Sequence, residues 1–102
     1  MAEVFISKES ISEELQVHSN NANFLANTII DEIIKRVFSQ IVCKINKIII
    51  SINSDNNEQL KLQAHELNEF IQSMKKIFDD EQTIEYLEYF SVKLKYLENL
   101  SL

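Results

Sequence analysis

The chain contains no glycine, no proline and no tryptophan, and it has a single cysteine. Glycine and proline normally supply the positive φ angles and rigid turns of β-hairpins, barrels and phosphate-binding loops. Their absence excludes a glycine-rich phosphate loop and disfavours a β-rich fold, whereas long helices need neither residue. The lone Cys43 excludes an internal disulfide and fits a reducing compartment, so we expect a cytoplasmic protein.

The sequence also lacks a start typical of a signal peptide and a run long enough to cross a membrane. Its most apolar segment, residues 37–52, is interrupted by Lys44, Asn46 and Lys47. That segment is shorter than the roughly 20 residues that a bilayer-crossing helix needs. With 45% apolar residues in a chain of 102, we expect one soluble folded domain covering residues 1–102.

The charges of the chain are unbalanced and unevenly distributed. Ten basic and 16 acidic residues give a net charge of −6. Residues 1–34 carry six acids and one lysine, residues 35–53 carry four bases and no acid, and residues 54–102 carry ten acids and five lysines. Binding to nucleic-acid backbones requires clustered basic residues, so we expect no nucleic-acid partner. The basic middle segment indicates either charge complementarity between packed helices or an acidic partner or phosphate surface.

Caps and apolar spacing predict helices at about residues 8–18, 21–53, 56–78 and 82–99. Ser10 and Glu13 have the spacing of a capping box in the first helix, and Asp55 and Glu58 have it near the start of the third. The second and third helices each carry an apolar stripe with alternating spacings of four and three residues. The stripe of the second helix consists of Ile34, Phe38, Ile41, Ile45, Ile48 and Ile52, and it is widened by Ile30, Val37 and Ile49. The stripe of the third helix consists of Leu60, Ala64, Leu67, Ile71, Met74 and Phe78.

Two long helices with matching stripes and a short polar turn between them form an antiparallel hairpin. Asn53, Asn56 and Asn57 tolerate the backbone angles of a turn without glycine. The sequence therefore predicts an all-α fold, a small bundle of three to four helices built on a long, coiled-coil-like helical hairpin. Before the first helix, residues 4–6 form an apolar lead-in or a short strand.

The chain has more apolar residues than one small core needs. The predicted fourth helix has a core stripe of Leu87, Phe90, Leu94 and Leu97, and a second stripe of Tyr89, Val92, Tyr96 and Leu100 on another side. Opposite the main stripe of the second helix lie Leu25, Ile29, Cys43 and Ile50. These residues are buried either against other helices of the same chain or at an interface with another molecule. The eight residues are therefore our candidate partner-binding residues.

Residues that could perform chemistry are few and scattered. His18 and His65 fall on different predicted helices, and neither has a glutamate three positions before it, as a di-metal bundle site requires. The acidic residues 79–81 indicate a helix boundary rather than a calcium loop. Cys43 has Lys44 nearby but no base close in sequence. We predict no catalytic, cofactor-binding or metal-binding residue, no small-molecule substrate and no enzyme activity.

One segment resembles a known docking element. Residues 24–38, 15 of the 102, resemble the amphipathic helix by which A-kinase anchoring proteins dock into a kinase regulatory-subunit dimer. In that family the helix is a free segment of a longer chain, whereas here its apolar face is required for the hairpin. We therefore do not assign the chain to that family.

The sequence leaves two classes of function. The first is a non-catalytic interaction protein: a small helical subunit, adaptor or chaperone that packs against a helical partner or forms a dimer or other homo-oligomer with itself. The alternative is an acidic inhibitor or immunity-type protein that blocks a basic toxin or a nucleic-acid enzyme. The salt dependence of the binding affinity distinguishes the two classes. Binding through apolar surfaces changes little with ionic strength, whereas binding through carboxylates weakens steeply as the salt concentration rises.

Overall fold

The computed structural model describes residues 7–100. They form four α-helices, α1 (Lys8–Thr28), α2 (Glu32–Asn53), α3 (Asn57–Ile77) and α4 (Glu81–Leu94), followed by a 3₁₀ helix over Lys95–Asn99. No strand occurs within that span, so the all-α prediction is confirmed. The apolar residues 4–6, predicted as a lead-in or short strand, lie outside the described residues.

Three-residue turns join the helices, and each turn ends in a side chain that caps the next helix. The N-caps are Asp31, Asn56 and Asp80, whose side-chain oxygens accept hydrogen bonds from N–H groups in the first turns of α2, α3 and α4. In the turn between α2 and α3, Asp55 has a φ of 57°. The prediction that Asp55 and Glu58 cap α3 is therefore wrong, since Asn56 is the cap. Asp55 adopts the left-handed backbone conformation that one of the Asn residues was expected to adopt.

The boundary between the first two helices differs from the prediction. The first helix continues to Thr28 instead of ending near residue 18, and the second begins at Glu32 instead of residue 21. Ser19 is buried in the middle of α1, and its hydroxyl donates to Asn46 Oδ1 on α2 at 2.9 Å. The capping side chain at the start of α1 is Ser7, not Ser10. The break at residues 29–31 also divides the segment that resembles an anchoring helix.

Each helix runs antiparallel to the next, and α4 returns to α1. Side-chain pairs show these directions: Ser12–Asn53 and Ser19–Asn46 join α1 to α2, Gln72–Ser91 and His65–Glu98 join α3 to α4 and the 3₁₀ helix after it, and Asn21–Tyr89 and Glu14–Tyr96 join α1 to α4 and the same 3₁₀ helix. Between the two contacts of each helix pair, the residue number rises on one helix and falls on the other, as expected for antiparallel helices. The result is an up-down-up-down four-helix bundle of 42 × 25 × 23 Å that contains the predicted antiparallel hairpin of α2 and α3.

The predicted stripes of α2, α3 and α4 form the centre of the bundle. The fully buried members are Phe38, Ile41, Ile45, Ile48 and Ile52 from α2, Leu60, Ala64, Leu67 and Ile71 from α3, and Leu87, Phe90, Leu94 and Leu97 from α4 and the 3₁₀ helix. Ile11, Leu15, Ala22 and Ala26 of α1 complete this core. Ile30 was expected to widen the α2 stripe, but it lies in the turn and is 93% exposed.

Candidate interaction surface

An open apolar groove of about 280 Å³ lies between α1 and α4. Its lining residues are Asn21, Phe24 and Leu25 from α1, and Tyr86, Tyr89 and Phe90 from α4. Phe24 is 67% exposed and stands at the edge of the groove, while Phe90 forms part of the core beneath it. We call this feature the α1–α4 groove.

A polar cluster beside the α1–α4 groove fixes the position of Tyr89. The Tyr89 hydroxyl lies 3.3 Å from Nδ1 of the buried His18 and accepts a 3.3 Å hydrogen bond from the Asn21 amide. The His18 and Tyr89 rings meet edge to face at 5.9 Å between centroids. Nε2 of His18 lies 3.5 Å from the Glu14 carboxylate. His18 is buried within α1, which continues beyond it to Thr28.

Tyr96 makes the next contact along the same α1–α4 junction. Its hydroxyl donates to Glu14 Oε2 at 3.4 Å. Burial, followed by the negative charge of Glu14 and the hydrogen bond to it, raises the pKa of Tyr96 to about 12. Tyr96 therefore stays neutral at ordinary pH and serves as an internal contact between α1 and the 3₁₀ helix that follows α4.

The second stripe of the fourth helix is divided between the interior and the solvent. Tyr89 is 39% exposed and Val92 is 65% exposed. Tyr96 packs against the core, and Leu100 is buried at the end of the described chain. Of these four candidates, only Tyr89 and Val92 offer substantial surface to another molecule.

The other four candidates do not form one surface. Leu25 and Ile29 belong to α1 and the turn after it, where they pack against the core, and not to the long second helix on which they were predicted. Cys43 and Ile50 lie on α2 and are exposed. They are two turns apart on the outward side of that helix, and neither lines the α1–α4 groove. Of this set only Leu25 reaches the groove.

Several exposed apolar residues were missed by the sequence argument. Phe24 was not singled out, and neither were Val17 on the same outer side of α1, Ile33 at the start of α2, or Ile77 at the end of α3. The acidic pair after Ile30 is the one signal for the missed turn, because Asp31 is a favoured helix N-cap and Glu32 suits a first turn. If the first helix had been predicted to end just before Asp31, Phe24 would have been assigned to α1.

Among residues 7–100, no group of three or more His, Cys, Asp and Glu side chains is placed to hold a metal ion. Within the same span, no helix combines the length and the apolar character needed to cross a membrane. None of the family models, curated proteins or solved structures compared with the chain matches it.

Proposed function

We propose that the chain is a non-catalytic protein–protein interaction protein, a small helical subunit, adaptor or chaperone of the cytoplasm. The observation that carries this proposal is the α1–α4 groove with the exposed Phe24 ring at its edge. Aromatic side chains around a concave apolar surface are typical anchors of protein interfaces, because they bury a large area on binding. Val92 does not line the groove, but it lies on α4 one turn beyond Tyr89 and is 65% exposed.

The form of the groove favours a helical partner. It runs between two antiparallel helices and is lined mainly by aromatic and aliphatic side chains. An amphipathic helix binds such a groove through apolar residues on one of its faces. The Tyr89 hydroxyl is already bonded within the chain, so an apolar residue can pack on its ring without leaving that hydroxyl unpaired.

Site-specific photo-crosslinking in living cells tests this proposal. A photoreactive phenylalanine analogue placed at position 24 or 92 should yield a covalent adduct of discrete mass, which mass spectrometry then identifies. Leu62 is the control position, because it is 52% exposed but lies on α3, away from the groove. Equal labelling from positions 24, 92 and 62, or no adduct from any of them, would contradict the proposal.

The inhibitor alternative has its own structural support. Glu81, Glu85 and Glu88 are all exposed along α4, and the Glu88 carboxylate also forms an ion pair with Lys75 of α3. If the chain acts in this way, the affinity for the adduct-forming partner should fall steeply between about 50 and 500 mM salt, because exposed charges are screened. Replacing the three glutamates by glutamine should then weaken binding more than Phe24→Ala does. The groove proposal predicts the opposite order.

A further inference from the structure

The outer side of α1 carries no charge over most of its length. Residues 15–30 include no Asp, Glu, Lys or Arg, although 26 such residues occur in the chain, 16 acidic and 10 basic. The exposed side chains of this stretch are Gln16, Val17, Asn20, Asn21, Asn23, Phe24, Asn27, Thr28 and Ile30. We call this surface the uncharged α1 face. It adjoins the α1–α4 groove, since Asn21 and Phe24 belong to both.

We propose that the uncharged α1 face binds the same face of a second copy, with the two α1 helices antiparallel about a twofold axis near Asn20 and Asn21. This inference rests on the proposed function and specifies its partner. The homodimer is isologous, so each copy contributes the same residues to the interface.

Charge is the first argument for a second copy. Two molecules that each carry −6 repel one another, and the repulsion is smallest where the contacting surfaces hold no ionised group. A basic partner, in contrast, would find no carboxylate on this face. Asparagine amides both donate and accept hydrogen bonds, so an amide-rich face can pair with a copy of itself.

The register of the exposed residues is the second argument. Val17 and Phe24 are seven residues apart, which places them on one side of α1 about 10.5 Å from each other. In the antiparallel pair, Val17 of one copy lies beside Phe24 of the other, and the amides of Asn20 and Asn21 meet near the axis. A polar residue among apolar contacts is a known means of fixing helix register.

The acidic start of α1 decides between antiparallel and parallel pairing. Glu13 is exposed four residues before Val17, on the same side of the helix. In a parallel pair the two Glu13 carboxylates would face each other, which is unfavourable. In the antiparallel pair, Glu13 lies opposite Thr28 of the other copy, an uncharged residue.

Opposite charges introduced at the two paired positions, 17 and 24, provide the test. Sedimentation equilibrium and light scattering should give the wild-type chain twice the 11.9 kDa mass of one copy. Val17→Lys and Phe24→Glu should each weaken the dimer by roughly tenfold or more, because each buries an unpaired charge. The double variant should dimerise more tightly than either single variant, since the new lysine of one copy then lies beside the new glutamate of the other. Leu62→Glu, which adds a charge on α3, should leave the dimer unchanged.

The possible results separate this inference from the proposed function. A wild-type chain that stays monomeric at concentrations approaching the millimolar range overturns the inference. If position 24 still forms an adduct with a different protein, the proposed function stands. A double variant no better than the single variants overturns the antiparallel pairing, provided that circular dichroism shows all variants to be folded.

Discussion

Phe38 is the aromatic side chain on which the contact between α2 and α4 depends. It is fully buried, and its ring centroid lies 6.1 Å from that of Tyr86 and 6.2 Å from that of Phe90. Because α2 and α4 are not consecutive helices, these rings join opposite sides of the bundle. Phe38→Ala would leave a cavity at the junction, and such a change costs about 3–5 kcal/mol.

That loss is large relative to the expected stability of the whole domain. Domains of this size have unfolding free energies on the order of 5–15 kcal/mol. If the free energy of unfolding falls by about 2 kcal/mol for each molar of urea, a loss of about 4 kcal/mol in that free energy lowers the urea midpoint by about 2 M. Far-ultraviolet circular dichroism follows the transition directly, because the described chain is almost entirely helical.

Leu62→Ala provides the matched control for this measurement. Leu62 is on the exposed side of α3, so its truncation should change the stability by no more than about 0.5 kcal/mol. Both variants must be measured at one protein concentration, since self-association would add to the apparent stability. If the midpoint of Phe38→Ala moves no more than that of Leu62→Ala, Phe38 is not at the centre of the core and the arrangement of α4 is incorrect.

Two further predictions concern ionisable groups. Hydrogen bonds from the side chain and the backbone N–H of Thr83 lower the pKa of Asp80 below its ordinary value of 3.8, so its carboxylate stabilises the fold above that pH and loses this effect as the pH falls through the lowered pKa. The difference in Tm between the wild-type chain and Asp80→Ala should therefore shrink from about pH 6 to about pH 2. The pKa of Tyr96 is raised to about 12, so its neutral form stabilises the fold below pH 10 and this effect is lost as the pH rises toward 12. Ultraviolet titration should show a tyrosinate step near pH 12 that is absent from Tyr96→Phe. Glu14→Gln should lower the pKa of Tyr96 but not to its ordinary value of 10.0, because the side chain stays buried.

The hairpin could be predicted from the sequence because its information is local and repeated. Along α2 and α3 the alternating spacing of apolar residues continues for several turns, and most of these residues are buried in the structure, with Ile34, Met74 and Phe78 partly buried at the ends of the stripes. The course of α1 could not be predicted in this way. Ser19, Asn20 and Asn21 form helices poorly, so they suggested a boundary. What holds them in a helix is distant in sequence, chiefly the bond from Ser19 to Asn46 and the burial of Ala22 in the core.

The error in α1 also explains why only part of the candidate surface was identified. Periodicity gives the direction in which a side chain leaves its helix, but it does not say whether a neighbour is present on that side. With α1 ending near residue 18, Phe24 belonged to another helix, and the stripe of Tyr89 and Tyr96 was assigned either to the interior of the same chain or to an interface with another molecule. In the structure, His18 and Glu14 on the correctly predicted part of α1 contact Tyr89 and Tyr96, while the extension beyond residue 18 places Phe24 at the outer edge of a groove.

The basic residues of α2 bear on how the net charge should be interpreted. Charge complementarity between packed helices was one expectation for residues 35–53, yet none of their bases forms a salt bridge within 4.0 Å among residues 7–100. Lys44 lies over the Phe70 ring at 5.2 Å instead, and Arg36 and Lys47 are exposed. The surface thus changes from basic on α2, through the uncharged α1 face, to the exposed glutamates of α4, while the first turns of α1 carry Glu9, Glu13 and Glu14. Since the uncharged α1 face lies between these charged regions, a partner that binds it avoids them, whereas an inhibitor that uses the net negative charge would bind elsewhere, through the carboxylates of α4 or of the start of α1.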